Sequence, residues 1–395
     1  MSGPQRVTPF WADEDAEKSE TKGESAMPAI QAITMPKWGL AMEEGMLARW
    51  AVEEGASIAL AEEIMDIETS KIANVFESPV AGVLRRKVVG EGDTVPVGAL
   101  LGVVTEGEVS DAEIDAFVAD FLASFTTAVK EDVDAPSAEP ITVEGRTIRH
   151  LCLGPDDGTP ILMIHGFGAD LATWMFNQEA LAADRPVYAI DLPGHGGSSK
   201  QVDDGSVEGL ARTVKAYMDA AGIERAHLVG HSLGGAIAVE IAGTAPDRVA
   251  ALTLVAPAGL GPEIATDFIE GFISETRSRK LRPVLEMLVA NPGMVSADMV
   301  EDVLKFKRLD GAPAALRTIA DANFGGGSQK ASLRDRLATV KVPVQVVWGE
   351  EDRILPARHA EGLPATVSVT RLPGVGHIAH MEKASEINSV IKSVH

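Results

Sequence analysis

The sequence predicts a multi-domain chain: a small all-β sandwich, then a larger, mainly parallel, doubly wound α/β sheet carrying a helical cap. Three observations carry that expectation. Short β-type runs punctuated by glycine turns fill residues 30–105. From about residue 141, near-continuous apolar runs alternate with helical patterns, as in a sheet covered on both faces. Between residues 257 and 324 the strand signal disappears, and helical patterning with Pro and Gly breaks replaces it.

In chain order, residues 1–27 predict a disordered leader. Six acidic and two basic side chains between Asp13 and Glu24 leave little apolar surface to bury. The first domain, 28–106, holds strand candidates at 45–50, 64–68, 72–77 and 82–88. Glu54-Gly55-Ala56-Ser57-Ile58 and Glu91-Gly92-Asp93-Thr94-Val95 repeat one turn-then-apolar pattern, which fits two similar sheets packed face to face. Residues 107–139 form an acidic connector, with eight acidic and one basic side chain from 109 to 139. Ser110 and Glu113 stand in capping-box spacing, and Ile114, Phe117, Val118, Phe121, Leu122 and Phe125 follow at offsets of three and four. That amphipathic helix is expected to pack on the catalytic domain, with a short hinge at 132–140 after it. The second domain, 140–395, shows apolar runs at 161–165, 187–191, 227–230, 251–255, 344–348 and 367–372, with the cap at about 257–326.

Composition excludes several classes of function. The 395 residues suit two or three domains. A net charge of −23, from 35 basic and 58 acidic side chains, disfavours nucleic acid and anionic membranes as partners. No apolar run of membrane-spanning length appears, and the acidic N-terminus lacks a secretory apolar segment. The single cysteine, Cys152, sits in an apolar run, forbids an internal disulfide and fits a reducing compartment. A cytoplasmic location is expected.

Two motifs carry chemistry. In Glu68-Thr69-Ser70-Lys71 the lysine falls between two β-type runs and is expected at a hairpin tip, where a modifying enzyme can reach it. Gly55 stands 16 residues before Lys71 and Gly82 stands 11 after. An unmodified exposed lysine is the simpler alternative, but this pattern resembles the biotinyl/lipoyl-attachment family. Ser70 and Ile72 flank the lysine where biotin carriers place methionines, so the lipoyl branch is the closer likeness; that family commonly has Asp in place of Ser70. The resemblance implies lipoate attached covalently at Lys71.

The second motif is Gly230-His231-Ser232-Leu233-Gly234, which satisfies G-x-S-x-G between a strand pattern and a helix pattern. A serine hydroxyl needs a base, and the base needs a carboxylate to hold its tautomer. Gly349-Glu350-Glu351-Asp352 and Gly374-Val375-Gly376-His377 follow later strands in the order Ser, Asp, His. These segments resemble the α/β-hydrolase family, whose G-x-x-D pattern prefers Asp352 over Glu350 and Glu351. His377 follows the turn glycine, whereas His380 falls in the last helix. His165-Gly166-Phe167-Gly168 resembles the family's oxyanion turn, which implies Phe167 and Leu233 backbone N–H groups as oxyanion donors. His165 and His231 are expected to brace turns, as is the segment from Asp191 to Ser199. No metal site is expected.

Together the two halves resemble the dihydrolipoamide acetyltransferase subunits of acetoin dehydrogenase complexes. The resemblance implies acetyl transfer from lipoyl-Lys71 to coenzyme A through an acetyl-Ser232. It also implies thiamine-diphosphate-dependent acetoin dehydrogenase subunits and dihydrolipoamide dehydrogenase as partners, and a homo-oligomer. The alternatives are a serine-type hydrolase with a fused lipoyl domain, in which water replaces the thiol acceptor, and a scaffold without turnover. Phe268, Phe272, Met287 and Phe306 in the cap fit either an apolar pocket or helical core packing.

Overall fold

The computed structural model describes residues 29–36, 44–60, 62–69, 73–107, 109–128 and 137–394. The expected leader and the Ser70-Lys71-Ile72 segment lie outside the described residues.

Eight strands build the sandwich: β1 (Ala29–Thr34), β2 (Glu44–Trp50), β3 (Ser57–Ile58), β4 (Glu63–Glu68), β5 (Ala73–Glu77), β6 (Gly82–Lys87), β7 (Thr94–Pro96) and β8 (Leu100–Glu106). They pair antiparallel in two four-stranded sheets, ordered β1-β8-β6-β3 and β5-β4-β2-β7. Ile33, Leu47, Ile64, Ile67, Leu84 and Leu101 fill the space between them. The sequence echo has a structural counterpart. Gly55, at φ 88°, donates its N–H to Leu84 O at 2.7 Å, and Gly92, at φ 87°, donates to Leu47 O at 2.7 Å. Each half therefore plants its turn on a strand of the other half. The last described pair of the β4–β5 hairpin is Glu68 with Ala73, and Lys71 falls between those two in sequence.

The connector helix, α1 (Asp111–Ala128), begins with the expected capping box. Ser110 N–H donates to Glu113 Oε2 at 2.9 Å, and Glu113 N–H donates to Ser110 Oγ at 3.4 Å. Its packing partner differs from the expectation. Ile114 joins Leu100, Val103 and Val109 in one apolar cluster, with Phe117, Val118 and Phe121 against it, so α1 covers the outer face of β8 in the sandwich and not the catalytic domain. The physical reason is visible in β8. Leu100-Leu101-Gly102-Val103-Val104 lacks alternation, so a strand that buries one side between the sheets still needs a cover on the other. Arg85–Asp111 and Arg86–Asp115 pairs at 3.1 and 2.9 Å frame the contact, but exposed pairs of this kind contribute little beside the apolar stripe.

The large domain contains β9 (Glu139–Val143), β10 (Arg146–Leu153), β11 (Ile161–Ile164), β12 (Val187–Ile190), β13 (Ala226–His231), β14 (Val249–Val255), a short hairpin of β15 (Phe324–Gly325) and β16 (Ser328–Gln329), then β17 (Val344–Gly349) and β18 (Val367–Leu372). Its eight-stranded sheet runs β18-β17-β14-β13-β11-β12-β10-β9. β18 to β12 are parallel, whereas β10 and β9 close one edge antiparallel. The helices in order are α2 (Met175–Leu181), α3 (Val207–Ala220), α4 (Leu233–Thr244), α5 (Thr266–Ser274), α6 (Ser278–Leu285), α7 (Ala297–Lys307), α8 (Ala312–Asn323), α9 (Arg334–Thr339), α10 (Ala379–Glu382) and α11 (Ala384–Lys392). Residues of α3, α4 and α9 fill the core on one face of the sheet, and residues of α2, α10 and α11 fill most of the other. Helices α5 to α8 are the expected cap. Among the described residues no helix is long and apolar enough to cross a membrane.

Candidate active site

The chain leaves β11 for β12 on one side and returns to β13 on the other. Ligands of open α/β sheets bind beyond the carboxyl ends of the strands at such a reversal. The sequence motifs fall at those ends. His165 to Gly168 follows β11, and Ser232 follows β13 and starts α4. Ser232 holds φ 52° and ψ −115°, a conformation that L-residues reach only under constraint. Glycine makes the turn possible. A Cβ on Gly230 would lie 2.4 Å from Gly234 O, and one on Gly234 would lie 2.1 Å from Ile164 O. Any side chain at either position would push α4 off the sheet.

Asp352 and His377 come from the loops after β17 and β18. Asp352 Oδ2 accepts from His377 Nδ1 at 2.7 Å and from Trp348 Nε1 at 3.0 Å. Its other oxygen accepts the N–H groups of Ile354 and Leu355 at 2.8 and 2.9 Å. Four donors fix the carboxylate in rotation. With Nδ1–H committed to Asp352, the lone pair of His377 is on Nε2.

The backbone carrying His377 is clamped from three sides. His377 N–H donates to Leu288 O at 2.7 Å, Gly376 N–H donates to Glu382 Oε1 at 2.9 Å, and His231 Nε2–H donates to His377 O at 3.0 Å. Glu382 also accepts from Ala290 N–H at 2.9 Å, tying the cap to the histidine loop. Burial pushes its carboxyl above the ordinary glutamate value, and those two N–H groups oppose the shift.

Ser232, His377 and Phe167 share one cavity of about 150 Å³, walled by Phe268, Phe272, Phe306 and other cap residues. The pocket reading of Phe268, Phe272 and Phe306 holds, while Met287 packs against the core. Leu233 is the first residue of α4, where a helix leaves its N–H without an internal acceptor. His165 and His231 brace turns as expected. His165 Nδ1–H donates to Gly166 O at 2.7 Å, and its Nε2 accepts Leu192 N–H at 2.9 Å. The Asp191–Ser199 segment positions loops: Asp191 accepts Leu171 N–H and Gly197 N–H at 2.7 and 2.6 Å.

Further residues support the site. His195 Nε2 accepts Gly168 N–H at 3.0 Å, fixing the turn that carries Phe167. His380 lies between Trp174 and His231, its ring centre 4.5 Å from each and tilted to both, and pairs with Thr173 Oγ1 at 2.8 Å. Trp348 and Glu382 brace the acid and the base. Only the glycine-flanked histidine of the Asp191–Ser199 segment left a signal in the sequence. His380 meets Thr173 across 207 positions of sequence, whereas Trp348 and Glu382 reach Asp352 and Gly376 over only 4 and 6, through loops with no regular period.

Burial depresses a set of histidines together. His165 and His227 fall to about 4 and His380 to about 3, while His195 and His231 lie well below the ordinary value. In every case desolvation is the leading cause. Below about pH 6.5 the unfolded chain takes up protons that these rings refuse in the fold. The stability they contribute is complete above that pH and is lost as pH falls toward the depressed values, at up to about 1.4 kcal/mol per pH unit for each ring. Urea midpoints are therefore expected to fall steeply between pH 6 and 4. A flat profile across that window would contradict the buried neutral rings.

Comparison with known proteins agrees with this fold. Residues 159–384 match the alpha/beta hydrolase fold family, and residues 31–104 match the biotin/lipoyl family described as biotin-requiring enzymes. Solved structures of similar fold include a 2-hydroxy-6-oxo-6-phenylhexa-2,4-dienoate hydrolase from Rhodococcus (TM-score 0.59, 21% identity, 65% of this chain and 98% of that one). A carboxylesterase from Bacillus subtilis is another (TM-score 0.58, 19% identity, 70% and 97%). Two curated relatives span both halves, each named as the dihydrolipoyllysine-residue acetyltransferase component of an acetoin cleaving system. The one from Pseudomonas putida is 46% identical over 92% of this chain and 97% of its own length; the one from Cupriavidus necator is 45% identical over the same shares. A carrier sandwich and a serine-type pocket thus occur together along one alignable chain, and this protein belongs to the family of dihydrolipoyllysine-residue acetyltransferase components of acetoin cleaving systems.

Proposed function

We propose that Ser232, His377 and Asp352 form the machinery that moves an acetyl group from a lipoyl thioester at Lys71 to coenzyme A in an acetoin-cleaving complex. The observation that carries this reading is the 2.7 Å Asp352–His377 bond beside a strained Ser232 in one apolar cavity. The group expected at Lys71 fits a lysine amine that follows β4 and precedes β5 in sequence, and it would supply the thiol that delivers the acetyl.

The chain's residues do the rest. Ser232 Oγ attacks the thioester carbonyl as its proton passes to His377 Nε2. Phe167 and Leu233 N–H groups receive the oxyanion, each contributing about 3–4 kcal/mol to the barrier reduction. As the C–S bond breaks, His377 Nε2–H would return the proton to the departing thiol, leaving the acetyl on Ser232 Oγ. The coenzyme A thiol then loses its proton to His377 and attacks the ester carbonyl. The C–O bond breaks and Ser232 Oγ recovers that proton. Asp352 holds the ring and balances its transient charge throughout. The partners in this reading are a thiamine-diphosphate-dependent acetoin dehydrogenase and a dihydrolipoamide dehydrogenase, acting on a cytoplasmic homo-oligomer of this chain.

The test is a product balance. With S-acetyl-dihydrolipoamide and coenzyme A, acetyl-CoA is expected to exceed free acetate at least tenfold. Acetate as the main product would make the protein a hydrolase with a fused carrier.

A further inference from the structure

A chain of net charge −23 concentrates positive charge in one place. Residues 277–282 and 305–308 carry seven basic side chains (Arg277, Arg279, Lys280, Arg282, Lys305, Lys307 and Arg308) and no acidic one. The fold brings the two stretches together. Helices α6 and α7 pack against each other; Arg282 reaches Val295 O just before α7, and Lys307 at the end of α7 donates to Glu275 O just before α6. The two helices are therefore antiparallel, and the N-terminus of α6 lies beside the C-terminus of α7. Arg277, Arg279, Lys280 and Arg308 are exposed there, and their side chains have no ion pair or hydrogen bond among the described residues.

Three further features make this corner suited to phosphate. The N-terminus of α6 has no side-chain cap, so its first N–H groups and the positive end of its dipole remain available. Guanidinium forks match phosphate oxygens in pairs. The corner is also one aromatic layer from the reaction. Lys307 Nζ sits 5.8 Å from the Phe272 ring centre, and Phe272 lines the cavity, 6.0 Å from Phe167. The carrier sandwich makes its own contacts at another place, through Glu77 to Ser385 and Glu63 to Lys383 at the start of α11.

We propose that the α6–α7 corner of the cap binds the diphosphate and phosphomonoester of coenzyme A, with Arg277, Arg279, Lys280 and Arg308 as the contacting cations and the pantetheine arm running past Phe272 to Ser232. This assignment rests on coenzyme A being the acetyl acceptor. It explains why seven basic side chains gather at one corner of an acidic chain, and it separates recognition of the acceptor from recognition of the carrier.

The experiment uses the full chain with soluble S-acetyl-dihydrolipoamide and two acceptors, coenzyme A and pantetheine, which has the same thiol arm without phosphates. The wild type is expected to favour coenzyme A strongly. In Arg277→Gln/Arg279→Gln/Lys280→Gln/Arg308→Gln, kcat/KM for coenzyme A is expected to fall about 10- to 100-fold through KM, from loss of charge-assisted contacts. The value for pantetheine should change less than twofold, and raising salt should erode the wild-type preference but not that of the variant. An unchanged ratio between the acceptors would overturn the site. So would a variant impaired only with the lipoylated carrier as donor, which would make the corner a carrier dock. A wild type that acetylates neither thiol and releases only acetate would remove the acyltransferase reading itself, an outcome visible before any variant is made.

Discussion

Ser232→Ala is expected to lower acetyl transfer from soluble acetyl-dihydrolipoamide to coenzyme A by about 10⁴- to 10⁶-fold. The size follows from the geometry. His377 Nδ1 is committed to Asp352, so the base has one free nitrogen. The serine oxygen occupies a turn whose backbone is held at φ 52° by glycines that admit no side chain. Among the described residues Ser232 is the only serine or cysteine that lines the cavity; Thr173 Oγ1 there is paired with His380 Nε2 at 2.8 Å, and the one cysteine, Cys152, lies on β10, where burial raises its thiol above the ordinary value. Alanine keeps the cavity, the base and the donors. A residual rate near wild type would mean that the two thiols exchange acetyl directly, with His377 acting on the acceptor alone. Acid-quenched mass spectra of the wild type mixed with donor only should show acetyl on the Ser232 peptide.

Lys71→Arg is expected to abolish acetyl-CoA formation by the reconstituted complex while leaving transfer from the soluble donor within twofold. An arginine side chain stays protonated and cannot form the amide that would anchor lipoate. The donor would then have to arrive from bulk solution, without the roughly millimolar local concentration that a tether provides. The paired readouts separate carrier from catalyst. Persistence of complex turnover in the variant would show that acetyl reaches the pocket by another route.

Much of this arrangement was legible in the sequence because its signals are local. The alternation of apolar runs and helical patterns gave the parallel sheet, since buried strands need apolar side chains on both faces. G-x-S-x-G was legible because the close approach of α4 to the sheet admits only glycine at 230 and 234. The antiparallel edge, β9 and β10, escaped because mixed polar and apolar residues such as Arg146, Arg149 and His150 hide an edge strand. The packing of α1 was misjudged because an apolar stripe declares that it will be covered but not by what. The deciding signal lay in β8, whose unbroken apolar run asked for a second cover. Trp348, Glu382 and His380 had no such signal: Trp348 and Glu382 reach Asp352 and Gly376 through irregular loops, and His380 meets Trp174 and His231 only in the fold.

The clasp between α1 and β8 has a mechanical consequence. Because the helix is strapped to the sandwich by Ile114, Phe117 and Phe121, it travels as part of it, and the chain leaves it for the larger half at Ala128. Ten residues lie between that point and β9, and ten residues of chain span at most about 35 Å. So short a connection confines the search to the home surface, and loosening the strap would lengthen the reach while thinning the visits to the pocket.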